Sequence, residues 1–149
     1  MTAEIQLRIA TLDDAEALFP RTRALNDHEG IEISDAALDA ALRQLLGDAS
    51  IGCAWLIERD GAVLGYAIVT YGFDLEFAGR EGWLTELWID PEHRRGGVAS
   101  AALALLAGEL RARDVHAMHL QVRPDNPALR IYERAGFTTV QRLILSRRL

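Results

Sequence analysis

Cysteine is almost missing from this chain, in which Cys53 is the only one among 149 residues. A single cysteine cannot form a disulfide within the chain. A protein without disulfides is typical of the reducing cytoplasm. Cys53 lies inside the apolar stretch 51–57, so we expect a buried thiol rather than a reactive one. Paired cysteines and a His-Glu-x-x-His spacing are also missing, and we therefore predict that none of the four histidines binds a metal.

Basic residues are outnumbered: 22 acidic residues stand against 16 basic ones, and the formal net charge at pH 7 is -6. A protein that binds nucleic acid through a general basic surface needs clustered Lys and Arg, so this composition argues against that class of partner. The N-terminus lacks a basic segment followed by an apolar one, and the longest apolar stretch, 62–72, is only the size of a strand. We expect a cytoplasmic protein without a membrane segment.

Hydrophobic residues are plentiful, at 50% of the chain, which is enough for a substantial core. No low-complexity segment, linker or internal repeat divides the sequence. We therefore predict a single domain over residues 1–149.

Short apolar stretches separated by turn residues predict β-strands. These stretches are 5–9, 53–58, 62–70, 81–90 and 116–122, and the tail 138–144 also has β character. Asp60-Gly61 between two of them is a strong hairpin signal, which makes those two strands antiparallel. The helix expected between 81–90 and 116–122 makes that pair parallel, so the sheet is mixed.

Four helices are expected around this sheet. Thr11 and Ser34 are typical N-caps for the first two, which end near Asn26 and Gly47. The longest helix begins at Val98 and carries leucines on one face, and a short helix occupies 128–135. The chain is therefore expected in the α/β (mixed α+β) class.

A glycine-containing loop joins the strand 81–90 to the longest helix and reads Asp90-Pro-Glu-His-Arg-Arg-Gly-Gly-Val-Ala-Ser100. Glycines let backbone N–H groups approach a ligand closely, and the first turn of a helix adds unpaired N–H donors and the positive end of its dipole. These features predict a site for a phosphorylated ligand. The loop matches neither the P-loop nor the dinucleotide fingerprint, because it has one glycine pair and no lysine.

Two motifs carry a resemblance to a known family. Arg94, Gly97 and Ala99 form the pattern Arg-x-x-Gly-x-Ala, and Asn126-Pro-Ala-Leu-Arg-Ile-Tyr-Glu-Arg-Ala-Gly-Phe137 is an Asn followed by a short helix that ends in Gly-Phe. The spacing between them leaves room for one helix and one strand. Together they resemble the coenzyme A loop and the closing motif of the GNAT superfamily, the Gcn5-related N-acetyltransferases. This resemblance implies a twisted, mostly antiparallel sheet of about six to seven strands flanked by about four helices.

The resemblance also implies which residues bind the co-substrate, acetyl-CoA. In GNAT proteins this loop holds the pyrophosphate mainly through backbone N–H groups, and the preceding strand is often bulged so that an N–H is free for the thioester carbonyl. The implied coenzyme A contacts are Trp88, Ile89, Arg94, Arg95, Gly96, Gly97, Val98, Ala99, Ser100 and Asn126. An Asn before a proline is also simply a good turn residue.

Tyr132 and Glu86 are the candidate catalytic residues. Tyr132 occupies the tyrosine position of the family's last helix, where a phenol with a pKa of about 10 can protonate the departing thiolate; a packed aromatic is the alternative. Glu86 lies close to where several family members place the acid that deprotonates the amine, but a solvated or ion-paired residue fits equally, and Glu81 and Glu76 are further candidates. With regular alternation Glu86 shares a face with Leu84, whereas a bulge would change this assignment.

The implied activity is transfer of an acetyl group from acetyl-CoA to a primary amine by direct attack in a ternary complex. The acceptor is left open among small molecules, amino acids, polyamines and peptides. In this family the loop that carries His28 commonly borders the acceptor pocket, and its Asp27, Glu29 and Glu32 favour a cationic amine unless they are an ordinary solvated charge run. A non-catalytic acyl-CoA sensor or partner-binding module is the alternative function. Family members often form dimers, and the C-terminal tail does not decide the oligomeric state.

Overall fold

The structure, a computed structural model, describes residues 3–149 and contains one five-stranded sheet. Its strands are β1 Gln6–Ile9, β2 Gly52–Arg59, β3 Ala62–Asp74, β4 Gly79–Ile89 and β5 Val115–His119. They lie side by side in chain order, with antiparallel pairing from β1 to β4 and a parallel pair between β4 and β5. The mixed, mostly antiparallel sheet is confirmed, but the expected six to seven strands are corrected to five.

Within residues 3–149 four α-helices accompany this sheet, as the sequence predicts: α1 Ala15–His28, α2 Asp35–Gly47, α3 Val98–Ala112 and α4 Leu129–Arg134. Ser34 Oγ accepts a hydrogen bond from the backbone N–H of Ala37 at 3.1 Å, so the predicted cap of α2 is confirmed. At the other predicted cap, Thr11, the chain first makes a short 3-10 turn, and the Asp14 carboxylate accepts a 2.8 Å hydrogen bond from the Thr11 N–H. Local capping chemistry therefore fixes where these helices begin.

The turn between β2 and β3 forms where Asp60-Gly61 predicts it. Both residues have left-handed backbone angles, with φ of 52° at Asp60 and 75° at Gly61. This pair of angles matches the right-handed twist of the strands that the turn joins. The predicted antiparallel hairpin is confirmed.

The tail is where the sequence prediction of secondary structure is wrong. Residues 138–149 form neither a strand nor a helix, and β5 ends at His119 instead of continuing to Val122. Val140, Leu143 and Leu145 in the tail are exposed. Residues of high β propensity form a strand only when they pair with another strand and pack against a core, and the tail does neither.

The two faces of the sheet bury separate apolar clusters. On one face Leu106 and Leu110 of α3 pack against Trp55 of β2, in the cluster beneath α3. On the other face Leu18 of α1 and Leu42 of α2 cover Tyr66 and Ile68 of β3. The sheet is therefore covered on both sides, and its central strands are buried.

None of the helices between residues 3 and 149 combines the length and the apolar character that crossing a membrane requires.

We predict that Leu106→Ala lowers the free energy of unfolding by about 2–5 kcal/mol, because Leu106 is completely buried and the truncation leaves a cavity under α3. Denaturant titration followed by circular dichroism measures this loss. The matched control is Leu105→Ala on the same helix, where the residue is 40% exposed and the expected change is about 0.5 kcal/mol. Equal losses in the two variants would contradict the assignment of the core face.

Candidate active site

β4 pairs with β5 along only part of its own length. The parallel ladder ends at the Trp83–His119 pair, where β5 stops, while β4 continues to Ile89. Along this continuation β4 stays paired with β3 on its other side. The free edge of β4 and the chain that follows β5 therefore separate into a cleft.

A cavity of about 770 Å³ occupies this cleft. Its walls come from the end of α1, from residues 83–87 of β4, from residues 120–124 after β5, and from α4. Glu86, Tyr132 and Asn126 all lie on its lining, so the structure brings these three predicted site residues together. Residues 94–100 of the loop before α3 lie outside it.

A β-bulge at Thr85 decides on which face of the sheet the side chains of this part of β4 lie. Leu84 and Glu86 have adjacent partners on β3, and Thr85 between them has none. The extra residue shifts the alternation, so that Leu84 and Leu87 both pack into the cluster beneath α3 while Glu86 lies opposite Ile68 on the other face of the sheet. The expectation from regular alternation, that Glu86 shares a face with Leu84, is therefore wrong. Leu84, Glu86 and Leu87 all line the cavity.

Glu86 is hydrogen-bonded to a side chain that the sequence analysis missed. The Tyr66 hydroxyl of β3 donates to Glu86 Oε1 at 2.9 Å, and Tyr66 is itself completely buried. Burial raises the pKa of Glu86, and the hydrogen bond from Tyr66 offsets part of that rise by stabilising the charged carboxylate. A carboxylate held in this way is suited to accept a proton.

Tyr132 lies across the cavity on α4. Its ring packs edge-on against Phe137 with the ring centroids 6.0 Å apart. Burial raises the pKa of Tyr132, and the negative charge of Glu29 raises it further. The phenol is therefore protonated at neutral pH and can donate a proton.

Asn126 begins the turn that leads into α4. Its Oδ1 accepts a hydrogen bond from the backbone N–H of Ala128 at 2.9 Å, and its backbone carbonyl accepts one from Leu129 at 3.1 Å. These bonds correspond to the turn role that the sequence left open for this residue. Asn126 thus holds the helix that carries Tyr132 as well as lining the cavity.

The loop before α3 exposes backbone donors. Arg95 and Gly97 have left-handed angles, with φ of 65° and 79°. The first hydrogen bond of α3 runs from the N–H of Ala101 to the carbonyl of Gly97 at 3.0 Å, so the N–H groups of residues 97–100 have no partner within the helix. A Cβ added at Gly97 would meet no protein atom within 4 Å. The loop therefore fits an anion at the positive end of the α3 dipole.

Arg94 folds back onto β4. Its Nε donates to the carbonyl of Ile89 at 2.8 Å, and its guanidinium lies 4.6 Å from the centroid of the Trp88 ring. The two Nη groups are the donors that remain for a phosphate. Arg94 and Trp88 thus stabilise the start of the loop in addition to their predicted role in binding a ligand.

An ion pair that the sequence analysis also missed ties this loop to α1. Arg21 Nη2 lies 2.7 Å from Asp90 Oδ2 and Arg21 Nε lies 3.0 Å from Asp90 Oδ1, while Trp88 Nε1 donates to the same Oδ1 at 3.1 Å. A two-pronged pair of this kind fixes orientation as well as distance. No local pattern predicts it, because the partners are 69 residues apart in sequence.

Glu81 and Glu76, the other candidate bases, are bound elsewhere. Glu81 Oε1 accepts a hydrogen bond from Trp83 Nε1 at 3.1 Å, and Glu81 Oε2 lies 3.0 Å from His119 Nε2. Glu76 pairs with Arg142 at 2.7 Å on the surface. Neither lines the cavity.

The acidic segment 27–33, whose first two residues form the end of α1, divides between two surfaces. Glu29 and Ile31 line the cavity, whereas Asp27 and Glu32 border a separate open groove. His28 lines neither of these two spaces. In the part of the chain from residue 3 to residue 149, no group of three or more His, Cys, Asp or Glu side chains is arranged to hold a metal ion.

Comparison with known proteins agrees with this architecture. The model of the acetyltransferase (GNAT) family matches residues 15–137, and an acetyltransferase of Pectobacterium atrosepticum is 34% identical over 93 residues, 62% of each chain. The match thus spans less than two thirds of that relative. An integron cassette protein from the Cole Harbour Salt Marsh metagenome superposes with a TM-score of 0.85 at 27% identity, over 97% of this chain and 90% of the other. A predicted acetyltransferase of Clostridium acetobutylicum, solved with acetyl-CoA, gives 0.76 at 23% identity, over 96% of each chain.

The family match covers most of the chain, including β4, the loop before α3 and α4. The protein therefore belongs to the GNAT acetyltransferase family.

We predict that the pKa of the Glu86 carboxyl lies above the ordinary glutamate value of about 4.3, and that Tyr66→Phe raises it further by removing a donor to the charged form. Carbon-detected NMR titration of the Glu86 carboxyl measures its pKa in the wild type and in the variant. Because the folded state then holds this proton more tightly than the unfolded chain does, Glu86 makes the free energy of unfolding fall as pH rises between its unfolded and folded pKa values.

Tyr71→Phe is the matched control for this titration. Tyr71 lies on the same strand, but its ring packs under Arg80 and is not bonded to Glu86. This variant should leave the pKa of Glu86 unchanged, and a pKa that does not rise in Tyr66→Phe would contradict the role given to the Tyr66 hydroxyl.

Proposed function

We propose that the protein is an N-acetyltransferase that transfers the acetyl group of acetyl-CoA to a primary amine by direct attack in a ternary complex. The observation that carries this proposal is the placement of Glu86 and Tyr132 on one cavity, at the point where β4 loses its partner strand. One group is suited to take a proton and the other to give one.

Two features of the chain support acetyl-CoA as the co-substrate. The loop before α3 offers free N–H groups and the Nη groups of Arg94 to a pyrophosphate. The free edge of β4 leaves room and backbone donors for the pantetheine arm and the thioester of acetyl-CoA. The Clostridium relative of the same fold was solved with acetyl-CoA, which is consistent with this assignment.

The proposed chemistry forms one bond and breaks one. The neutral amine attacks the thioester carbonyl carbon, and a backbone N–H of β4 stabilises the oxyanion. The nitrogen loses a proton to the Glu86 carboxylate, the carbon–sulfur bond breaks, and Tyr132 protonates the thiolate. The products are the N-acetylated amine and coenzyme A thiol.

Calorimetric titration with acetyl-CoA, followed in the same preparation by a thiol-release screen against amines, amino acids and peptide N-termini, tests the proposal. The chain contains no lysine, so acetylation of its own lysine side chains cannot contribute background. We expect binding together with release for one acceptor class. Binding without release would instead favour the acyl-CoA sensor, and an absence of binding would overturn both functions.

We predict that Gly97→Val weakens acetyl-CoA binding at least tenfold, about 1.4 kcal/mol. A β-branched residue is strained at the φ of 79° found there, and its side chain would enter the space into which the free N–H groups point. Calorimetry measures the affinity. Gly108→Val, on the same helix and also without a protein atom within 4 Å of the added Cβ, should bind acetyl-CoA normally. Undiminished affinity in Gly97→Val would count against this loop as the binding site.

We predict that Tyr132→Phe lowers kcat by about a hundredfold or more while acetyl-CoA affinity stays near normal, because only the proton donor is removed. Steady-state thiol release and calorimetry separate the two effects. Tyr71→Phe, which removes a phenol outside the cavity, should retain the wild-type kcat. A Tyr132→Phe enzyme with unchanged turnover would remove Tyr132 from the mechanism.

A further inference from the structure

Asn26, in the last turn of α1, presents an unused acceptor to the cavity. The residue is only 9% exposed, and its Nδ2 donates to the carbonyl of Thr22 at 2.8 Å. Because a carbonyl can only accept, the NH₂ group must face Thr22, and Oδ1 is the atom left over. No donor among residues 3–149 is hydrogen-bonded to Oδ1, which stays open to the solvent of the cavity although the residue as a whole is buried. Since Asn26 lines the cavity, a ligand there can supply the missing donor.

Glu29 stands on the same side of α1, three residues further on. Its backbone is still helical, with φ of −80° and ψ of −2° at the C-cap, so Asn26 and Glu29 are neighbours on the helix surface. The end of α1 also carries the negative end of the helix dipole, which favours a cation. Leu25 and Ile31 from the same segment line the cavity beside them.

The proposed reaction uses only one of the two carboxylates that line the cavity. Glu86 takes the proton from the attacking nitrogen, which leaves the Glu29 carboxylate and Asn26 Oδ1 without a partner in the chemistry. Arg123, the one cationic side chain on the lining among the described residues, comes from the segment after β5 and not from α1. The α1 wall thus offers hydrogen-bond acceptors, negative charge and apolar contacts, which is the complement of an alkylammonium group.

We propose that the acceptor is a diamine: one nitrogen attacks the thioester beside Glu86, and the second stays protonated and binds Glu29 and Asn26 Oδ1. This inference rests on the proposed function and names its substrate class. It excludes α-amino acids as the preferred acceptors, because they place a carboxylate where the α1 wall is negative.

The test compares 1,4-diaminobutane with butylamine at saturating acetyl-CoA. The two amines share chain length and attacking group and differ only in the second nitrogen. We expect kcat/KM for the diamine to exceed that for butylamine by about tenfold or more, the size expected from one charged hydrogen bond. A ratio near one, or a preference for an amino acid over both amines, would overturn the proposal.

The variant Glu29→Gln locates the effect. The ratio of kcat/KM for the diamine to kcat/KM for butylamine should fall towards one. An effect of Glu29 on the pKa of Tyr132 would change both values equally and would leave this ratio unchanged. Glu32→Gln removes the same charge from the same loop but outside the cavity, and it should keep the wild-type ratio. Asn26→Leu should lower the ratio as well. An unchanged ratio in Glu29→Gln, or an equal fall in Glu32→Gln, would refute the assignment.

A binding measurement separates this inference from the proposed function. Protein loaded with coenzyme A is titrated calorimetrically with 1,4-diaminobutane, and we expect binding by the wild type that is lost in Glu29→Gln. Such binding without thiol release from any amine would support the diamine site and defeat the enzymatic proposal. Thiol release with butylamine, but no binding of the diamine, would defeat the diamine site and support the enzyme.

Discussion

The bulge at Thr85 is the constraint on which the candidate site depends. Because β3 has no partner for Thr85, Leu84 and Leu87 turn into the core beneath α3 while Glu86 lies on the other face of the sheet, bonded to Tyr66. Without the extra residue, Glu86 would share the side of Leu84, and an uncompensated carboxylate among leucines costs several kcal/mol. The Thr85 hydroxyl also bonds to the Ile68 carbonyl at 3.3 Å, which satisfies a backbone acceptor near the irregularity.

The two ends of the site are held by different kinds of contact. Around the cavity, the contacts are hydrogen bonds: Tyr66 orients Glu86 through one, and the turn at Asn126 holds α4 through two. At the loop before α3, Arg21 and Arg94 hold Asp90 and Trp88 by paired charge and by stacking. Preorganised groups of this sort lose little entropy when a ligand arrives, which is what both binding and proton transfer require.

Local chemistry is what the sequence could predict. The turn at Asp60-Gly61, the helix cap at Ser34 and the glycine loop before α3 each depend on residues close together in sequence. The structure contains all three, and Gly97 in the loop has a left-handed backbone angle. The predicted number of strands was too high because β character alone does not form a strand, and residues 138–149 pair with no strand of the sheet. The face of Glu86 and the pairing of Arg21 with Asp90 depend on contacts between segments far apart in sequence, and alternation or composition within one segment carries no information about them.

Helix α1 serves both halves of the site. Arg21 on this helix holds Asp90 at the start of the loop, and Asn26 lies on the cavity only about 8 Å further along the axis. A movement of Asp90 that accompanies coenzyme binding would therefore be passed along one stiff rod to the cavity wall. By thermodynamic reciprocity, occupation of that wall would then change the affinity of the loop by the same factor. Cooperative binding of the two substrates would thus follow from the position of a single helix, without a hinge or a lid.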